Sequence, residues 1–131
     1  MCRRRRVAVL TIPLCLGLAA CGSDTESDAV AEAEPSDVAS LTVVATDVAY
    51  DAPTYEVSSG QVEVTLRQEG QIPHTLVIED DDGREVGTEL VVNVTENVDS
   101  ATIELAPGSY VLWCRIPGHR GLGQEATLTV S

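Results

Sequence analysis

The sequence predicts an all-β protein, a Greek-key β-sandwich of seven to eight strands built from residues 41–131. Three observations carry this prediction. From residue 41 onward, runs rich in Val, Leu, Ile and Thr alternate at short intervals with clusters of Gly, Pro, Asp and Ser. Several runs have period two, as in Val62, Val64 and Leu66 against Glu63, Thr65 and Arg67, which marks strands with one buried face. No stretch in this region shows helical periodicity, so the apolar faces must cover one another as two packed antiparallel sheets.

The predicted strands are 41–46, 54–57, 61–68, 74–79, 89–95, 101–105, 109–114 and 125–130. Turn residues separate them: Ser58, Ser59 and Gly60; Glu69 and Gly70; Asp80 through Gly83; Pro107 and Gly108. The acidic run Glu79, Asp80, Asp81, Asp82 lacks the spacing and the later Glu of an EF-hand, and reads as an Asp-Gly hairpin turn. A domain of this length supports one small core and not two. Phe is absent, so that core must be aliphatic, with Trp113 as its expected large anchor.

Residues 1–20 read as a bacterial export signal, with the basic run Arg3, Arg4, Arg5, Arg6 followed by the apolar stretch 7–20. That stretch is shorter than the roughly 20 residues a helix needs to span a bilayer, and Pro13 interrupts it. Leu18, Ala19, Ala20 and Cys21 resemble the lipobox of bacterial lipoproteins, where the signal is cut before the Cys and its sulfur takes a diacylglycerol. An ordinary secretory cleavage site with an incidental Cys is the alternative. Two acyl chains, at about 0.8 kcal/mol per buried CH₂, would anchor the chain stably to the outer face of the cytoplasmic membrane. Residues 21–40 then comprise the lipidated Cys and a linker of acids, Ala and Ser without apolar period, expected to be a disordered, self-repelling tether.

Processing changes both the charge and the cysteine inventory. Without the signal the chain keeps 4 arginines and no lysine against 21 acids. Such a balance excludes nucleic acid as a natural partner, repels anionic lipid headgroups and steers basic proteins inward. An even count of cysteines in an exported chain would suggest disulfides, and this chain has 4. Cys2 and Cys15 leave with the signal and Cys21 goes to lipid, so Cys114 is alone in an oxidising compartment. A lone thiol there is either inert and buried or protected by a metal.

The stretch YVLWCRIPGHRGLGQ, 110–124, holds that Cys and one of the 2 histidines. It starts as a strand, breaks at Pro117 and Gly118, presents His119 and re-enters a strand near Gln124. The Pro-Gly break lets the chain double back, so that thiolate and imidazole can reach one point about 2 Å from each. His74 follows Pro73 and opens the apolar run TLVIE, at a strand end where a sandwich exposes its loops. Taken singly, each His is more often a hydrogen-bonded structural residue than a ligand.

At these residues the sequence resembles the cupredoxins, the type 1 or blue copper family. It is most similar to small bacterial cupredoxin-like domains ending in a Tyr-x-x-x-Cys-x-x-Pro-Gly-His segment, here Tyr110 to His119. The resemblance covers roughly 41–130. It implies one mononuclear copper held by His74, Cys114 and His119, with the weak axial position falling on Gln124. Most relatives carry Met there, and an amide resembles the stellacyanin-like minority. If Gln124 does not ligate, it is a turn residue beside three-coordinate copper. Thr75 matches the position at which relatives tie the two ligand loops together.

The implied function is electron transfer by a membrane-anchored, monomeric cupredoxin that exchanges electrons with a cytochrome or a membrane oxidase or reductase. Copper storage or delivery, and a metal-free binding module of the same shape, are the alternatives. Open Met- or His-rich segments suit copper carriers, and after processing this chain keeps neither Met nor a spare His. An enzyme is not expected, since a binuclear centre needs a second site Cys and an open catalytic copper needs further histidines. Arg115 and Arg120, flanking His119, are either contacts for an acidic group of a partner or ordinary solubilising side chains.

Overall fold

The computed structural model describes residues 37–131. The predicted signal, the lipidation site at Cys21 and nearly all of the linker lie outside the described residues. Nine strands follow in order: β1 (Ala39–Thr46), β2 (Ala49–Tyr50), β3 (Thr54–Val57), β4 (Gly60–Gln68), β5 (His74–Glu79), β6 (Leu90–Val92), β7 (Val98–Leu105), β8 (Gly108–Trp113) and β9 (Glu125–Val130). Ala39 and Ser40, which composition assigns to the linker, already belong to β1.

The strands form two sheets, in the orders β2-β1-β4-β7 and β3-β9-β8-β5-β6. The sandwich and its β class are as the sequence predicts, but the sheets are mixed and not purely antiparallel. β1 runs parallel to β4, with Ala39 opposite Val62 and Ala45 opposite Gln68, and β3 runs parallel to β9. The cause is the path of the chain. After β2 it crosses to the far edge of the second sheet as β3 and only then returns as β4, and parallel neighbours require such a crossover in place of a hairpin.

Burial follows the predicted alternation. Val62, Val64 and Leu66 of β4 are fully buried and face Leu41, Val43 and Ala45 of β1 on the same side of the sheet. β5 differs, because its first five residues are all buried. It sits between β8 and β6 inside the second sheet, and a strand covered on both faces reads as a continuous apolar run. The acidic turn closes as expected: Asp80 Oδ1 accepts from the amides of Asp82 and Arg84 at 3.0 and 2.8 Å.

The core is aliphatic, but Trp113 does not anchor it. Trp113 is half-buried on the outer face of its sheet, covered by the guanidinium groups of Arg115 and Arg120 at 5.2 and 4.7 Å from the ring centroid. The large aromatic members of the core are Tyr50 and Tyr110, each 7% exposed. Their hydroxyls donate to the carbonyls of Thr75 and Ala106 at 2.7 and 2.8 Å, which is how a phenol enters a core without stranding its polar end.

Candidate metal centre

Two segments deliver the candidate donors to one end of the sandwich: the start of β5 and the connection between β8 and β9. β5 starts at His74, so the imidazole stands where the strand begins, fully buried. Cys114 follows the last residue of β8 and is 1% exposed. Alternation along β8 puts Tyr110 and Leu112 inward, and Cys114 continues that inward face. Beyond it the chain turns at Gly118, whose φ of 88° suits a residue without Cβ. A short 3₁₀ turn, Arg120–Leu122, ends at Gly123 with φ 107° and returns Gln124 beneath His119. Backbone bonds fix the return: the amide of Gln124 donates to His119 O at 3.0 Å, and that of Cys114 to Gln124 O at 3.2 Å.

The ligand atoms of His74, Cys114 and His119 all lie within 4.8 Å of one another. Cys114 Sγ is 3.7 Å from His119 Nδ1, a separation that fits two donors reaching one small cation through bonds of about 2 Å. Gln124, fully buried, places Oε1 3.0 Å from Nδ1 of His74 and 3.0 Å from Nδ1 of His119. Both imidazoles therefore turn the same nitrogen toward the cluster, and the amide oxygen lies between them. Nε2 of His74 is buried without a hydrogen-bond partner, whereas Nδ1 faces the cluster. One soft sulfur, two imidazoles and a neutral oxygen form a donor set of the kind that soft or borderline first-row cations select.

Around the sulfur, Thr75 links the two ligand segments. Its backbone amide donates to Cys114 Sγ at 3.4 Å, and its hydroxyl oxygen accepts from the Arg115 amide at 2.8 Å. Arg115 and Arg120 are exposed but paired. Arg115 pairs with Glu85 and Glu89 at 2.7 and 3.1 Å, and Arg120 with Glu79 at 3.8 Å and with Glu125. Those glutamates and the Trp113 stack engage both cations within the domain. Sequence reasoning had no signal for this network, nor for Tyr50, since both depend on contacts distant in the chain.

Burial pushes the pKa of His74 below its ordinary value of 6.5; a hydrogen bond from the ring to the Gln124 amide oxygen opposes the shift, and the neighbouring His119 adds to it. The ring is thus held neutral, the form that ligates a metal. The sign for stability follows by linkage. A depressed histidine takes up its proton more readily when unfolded, so stability is greatest above about 6.5 and is lost as pH falls through that value. Denaturant midpoints of the metal-free domain are expected to fall between about pH 7.5 and 5.5, and His74→Asn is expected to flatten that fall. Equal slopes in the two proteins would show that His74 does not carry the effect.

No protein-family model matches the chain, and no curated protein matches it by sequence. Solved structures do match. Auracyanin from the photosynthetic bacterium Roseiflexus castenholzii aligns with a TM-score of 0.62 at 20% identity, over 70% of this chain and 96% of that one. Auracyanin A, a blue copper protein from the green thermophilic photosynthetic bacterium Chloroflexus aurantiacus, aligns with a TM-score of 0.59 at 15% identity, over 70% and 98%. An azurin from the methylotroph Methylomonas sp. strain J aligns with a TM-score of 0.56 at 15% identity, over 70% and 97%. Residues 37–131 therefore have the cupredoxin fold.

Proposed function

We propose that this chain is an electron-transfer protein that holds one copper ion with His74, Cys114 and His119, with Gln124 as a weak fourth donor. The observation that carries the reading is the cluster itself: a thiol and two imidazoles within 4.8 Å at one end of a cupredoxin-fold sandwich. Copper, when bound, supplies a one-electron couple between Cu(I) and Cu(II). The chain supplies the rest. Buried, hydrogen-bonded side chains keep their positions in both oxidation states, and little rearrangement favours fast exchange.

Of the three donors only His119 is not fully buried, and Leu122, in the same loop, is 70% exposed. Pro117 and Gly118 are exposed beside it. We read this apolar end as the place where a redox partner meets the imidazole edge. With 21 acids in the chain, that partner is expected to present a basic face, and association is expected to weaken as salt rises. Export, lipidation at Cys21 and a monomeric state complete the proposal on sequence grounds. Intact mass of membrane-extracted protein tests the lipid: a diacylglycerol adduct supports it, and an unmodified Cys21 or cleavage elsewhere removes it.

The decisive experiment is a visible spectrum of the purified domain titrated with Cu(II). Expected is an intense sulfur-to-copper charge-transfer absorption that saturates at one ion per chain and bleaches on reduction. A colourless protein, or faster copper loss to a chelating acceptor than electron exchange with a redox dye, would select storage or a metal-free module instead. The reduction potential is expected to rise in Gln124→Met, because an amide oxygen is a harder donor than a thioether and favours Cu(II). A redox titration in which the potential of Gln124→Met stays level or drops refutes a ligating role for the amide.

A further inference from the structure

The hydrogen-bond ladder between β5 and β8 stops one rung before the metal centre, and the way it stops assigns a role to Tyr50. The two strands pair antiparallel with Glu79 opposite Val111, Ile78 opposite Leu112 and Val77 opposite Trp113. Continuing that register sets Thr75 opposite Arg115. Alternation makes this a rung of the same kind as the one at Val77 and Trp113, with the amide and carbonyl of both residues facing the partner strand. The neighbouring residue agrees, since the Cys114 amide points the other way, to Gln124 O at 3.2 Å in β9's direction.

The rung is not made, and each of its groups on the Thr75 side has been given another partner. The Thr75 amide goes to Cys114 Sγ at 3.4 Å. The Arg115 amide goes to the Thr75 hydroxyl oxygen at 2.8 Å in place of the Thr75 carbonyl. The carbonyl itself accepts from Tyr50 Oη at 2.7 Å. Tyr50 belongs to β2 in the opposite sheet and reaches this carbonyl through the core, with the phenol 7% exposed. A regular rung would satisfy carbonyl and amide together, so something must hold the carbonyl away from Arg115 for the amide to stay on sulfur.

We propose that Tyr50 is a positioning residue for the metal-binding sulfur: by occupying the Thr75 carbonyl it keeps the rung open and the Thr75 amide directed at Cys114 Sγ. Losing the phenol hydroxyl leaves the carbonyl either unsatisfied in the core or free to capture the Arg115 amide, and both outcomes disturb the sulfur's hydrogen bond. In the copper reading, on which only this last consequence rests, an amide bonded to thiolate withdraws charge from it and favours Cu(I), so losing that bond lowers the reduction potential.

The test begins on the metal-free domain, which keeps it independent of copper. In Tyr50→Phe, hydrogen exchange at the Thr75 amide and alkylation of Cys114 are each expected to quicken roughly tenfold, the size expected for losing one net hydrogen bond in a local opening. Tyr55→Phe, whose hydroxyl bonds Asp51 at 2.6 Å, should leave both rates unchanged. A difluorotyrosine at position 50 keeps the shape, strengthens the donor and should slow both rates, which covers the case in which Tyr50→Phe does not fold. On copper loading, the potential of Tyr50→Phe should fall below that of wild type. Faster metal-free rates with no copper uptake would uphold the positioning role and defeat only the copper reading. Unchanged Thr75 exchange and Cys114 alkylation in a folded Tyr50→Phe, or in the difluorotyrosine protein, would overturn the role of Tyr50.

Discussion

Cys114→Ser is expected to remove the visible absorption of the copper-loaded domain and to weaken Cu(I) binding by more than about 100-fold, the upper end for losing a group that merely orients a ligand. The reasoning is one of softness and charge. A thiolate is soft and anionic, whereas a serine hydroxyl is hard and stays protonated at neutral pH, so it offers Cu(I) little. Sulfur and oxygen differ modestly in size, and Cys114 is already 1% exposed and bonded to the Thr75 amide, which a hydroxyl oxygen can also accept. The metal-free domain should therefore stay folded, within about 1 kcal/mol of wild type. That separation is what makes the variant informative. A buried cysteine with only a packing role would alter stability and leave affinity alone, and competition with a Cu(I) chelator returning equal affinities would remove Cys114 from the site.

The sequence makes the three candidate donors easy to find for a reason of scarcity. Two histidines and, among the described residues, a single cysteine leave few ways to build a metal site, and the Pro-Gly break between Cys114 and His119 announces a loop. Strands such as β4 were legible because one face is buried and the other wet, which writes period two into the residues. What could not be read depends on choices made between segments. The parallel pairing of β1 with β4 is set by where β3 goes, and nothing inside either strand records it.

Trp113 shows how a sound local expectation fails. A lone Trp in a domain without Phe should be the core's anchor, but successive residues of a strand face opposite ways. Tyr110, Leu112 and Cys114 take the inward face, so Trp113 must point out. The protein covers it with two arginines, each held by glutamates, in place of burying it. Tyr50 was opaque for a related reason. Its partner carbonyl lies 25 residues away in the other sheet, and a tyrosine between Ala49 and Asp51 carries no local mark of such a contact.

Leu112→Ala should cost the metal-free domain about 2–5 kcal/mol, the range for truncating a fully buried leucine. Leu112 has no exposed surface, and it lies opposite Ile78 on one side and Ala126 on the other. Neither neighbour can close the cavity without dragging a ladder with it, which argues for the upper half of that range. Domains of this size hold about 5–15 kcal/mol in total, and each kcal/mol moves the thermal midpoint by about 4–8 °C. The variant should still fold, but with a midpoint lowered by tens of degrees. Metal separates two routes for that loss. Saturation at about 100 times Kd adds about 2.7 kcal/mol to whatever protein binds it, so equal metal-induced shifts in wild type and Leu112→Ala would place the damage in the core alone. A smaller shift in the variant would mean that the cavity loosens Cys114, two residues along the same inward face. Val43→Ala, fully buried in β1 of the other sheet, is the control: it should lower stability and leave the metal-induced shift intact. A cost below about 1 kcal/mol for Leu112→Ala would show that this side of the core is not packed as described.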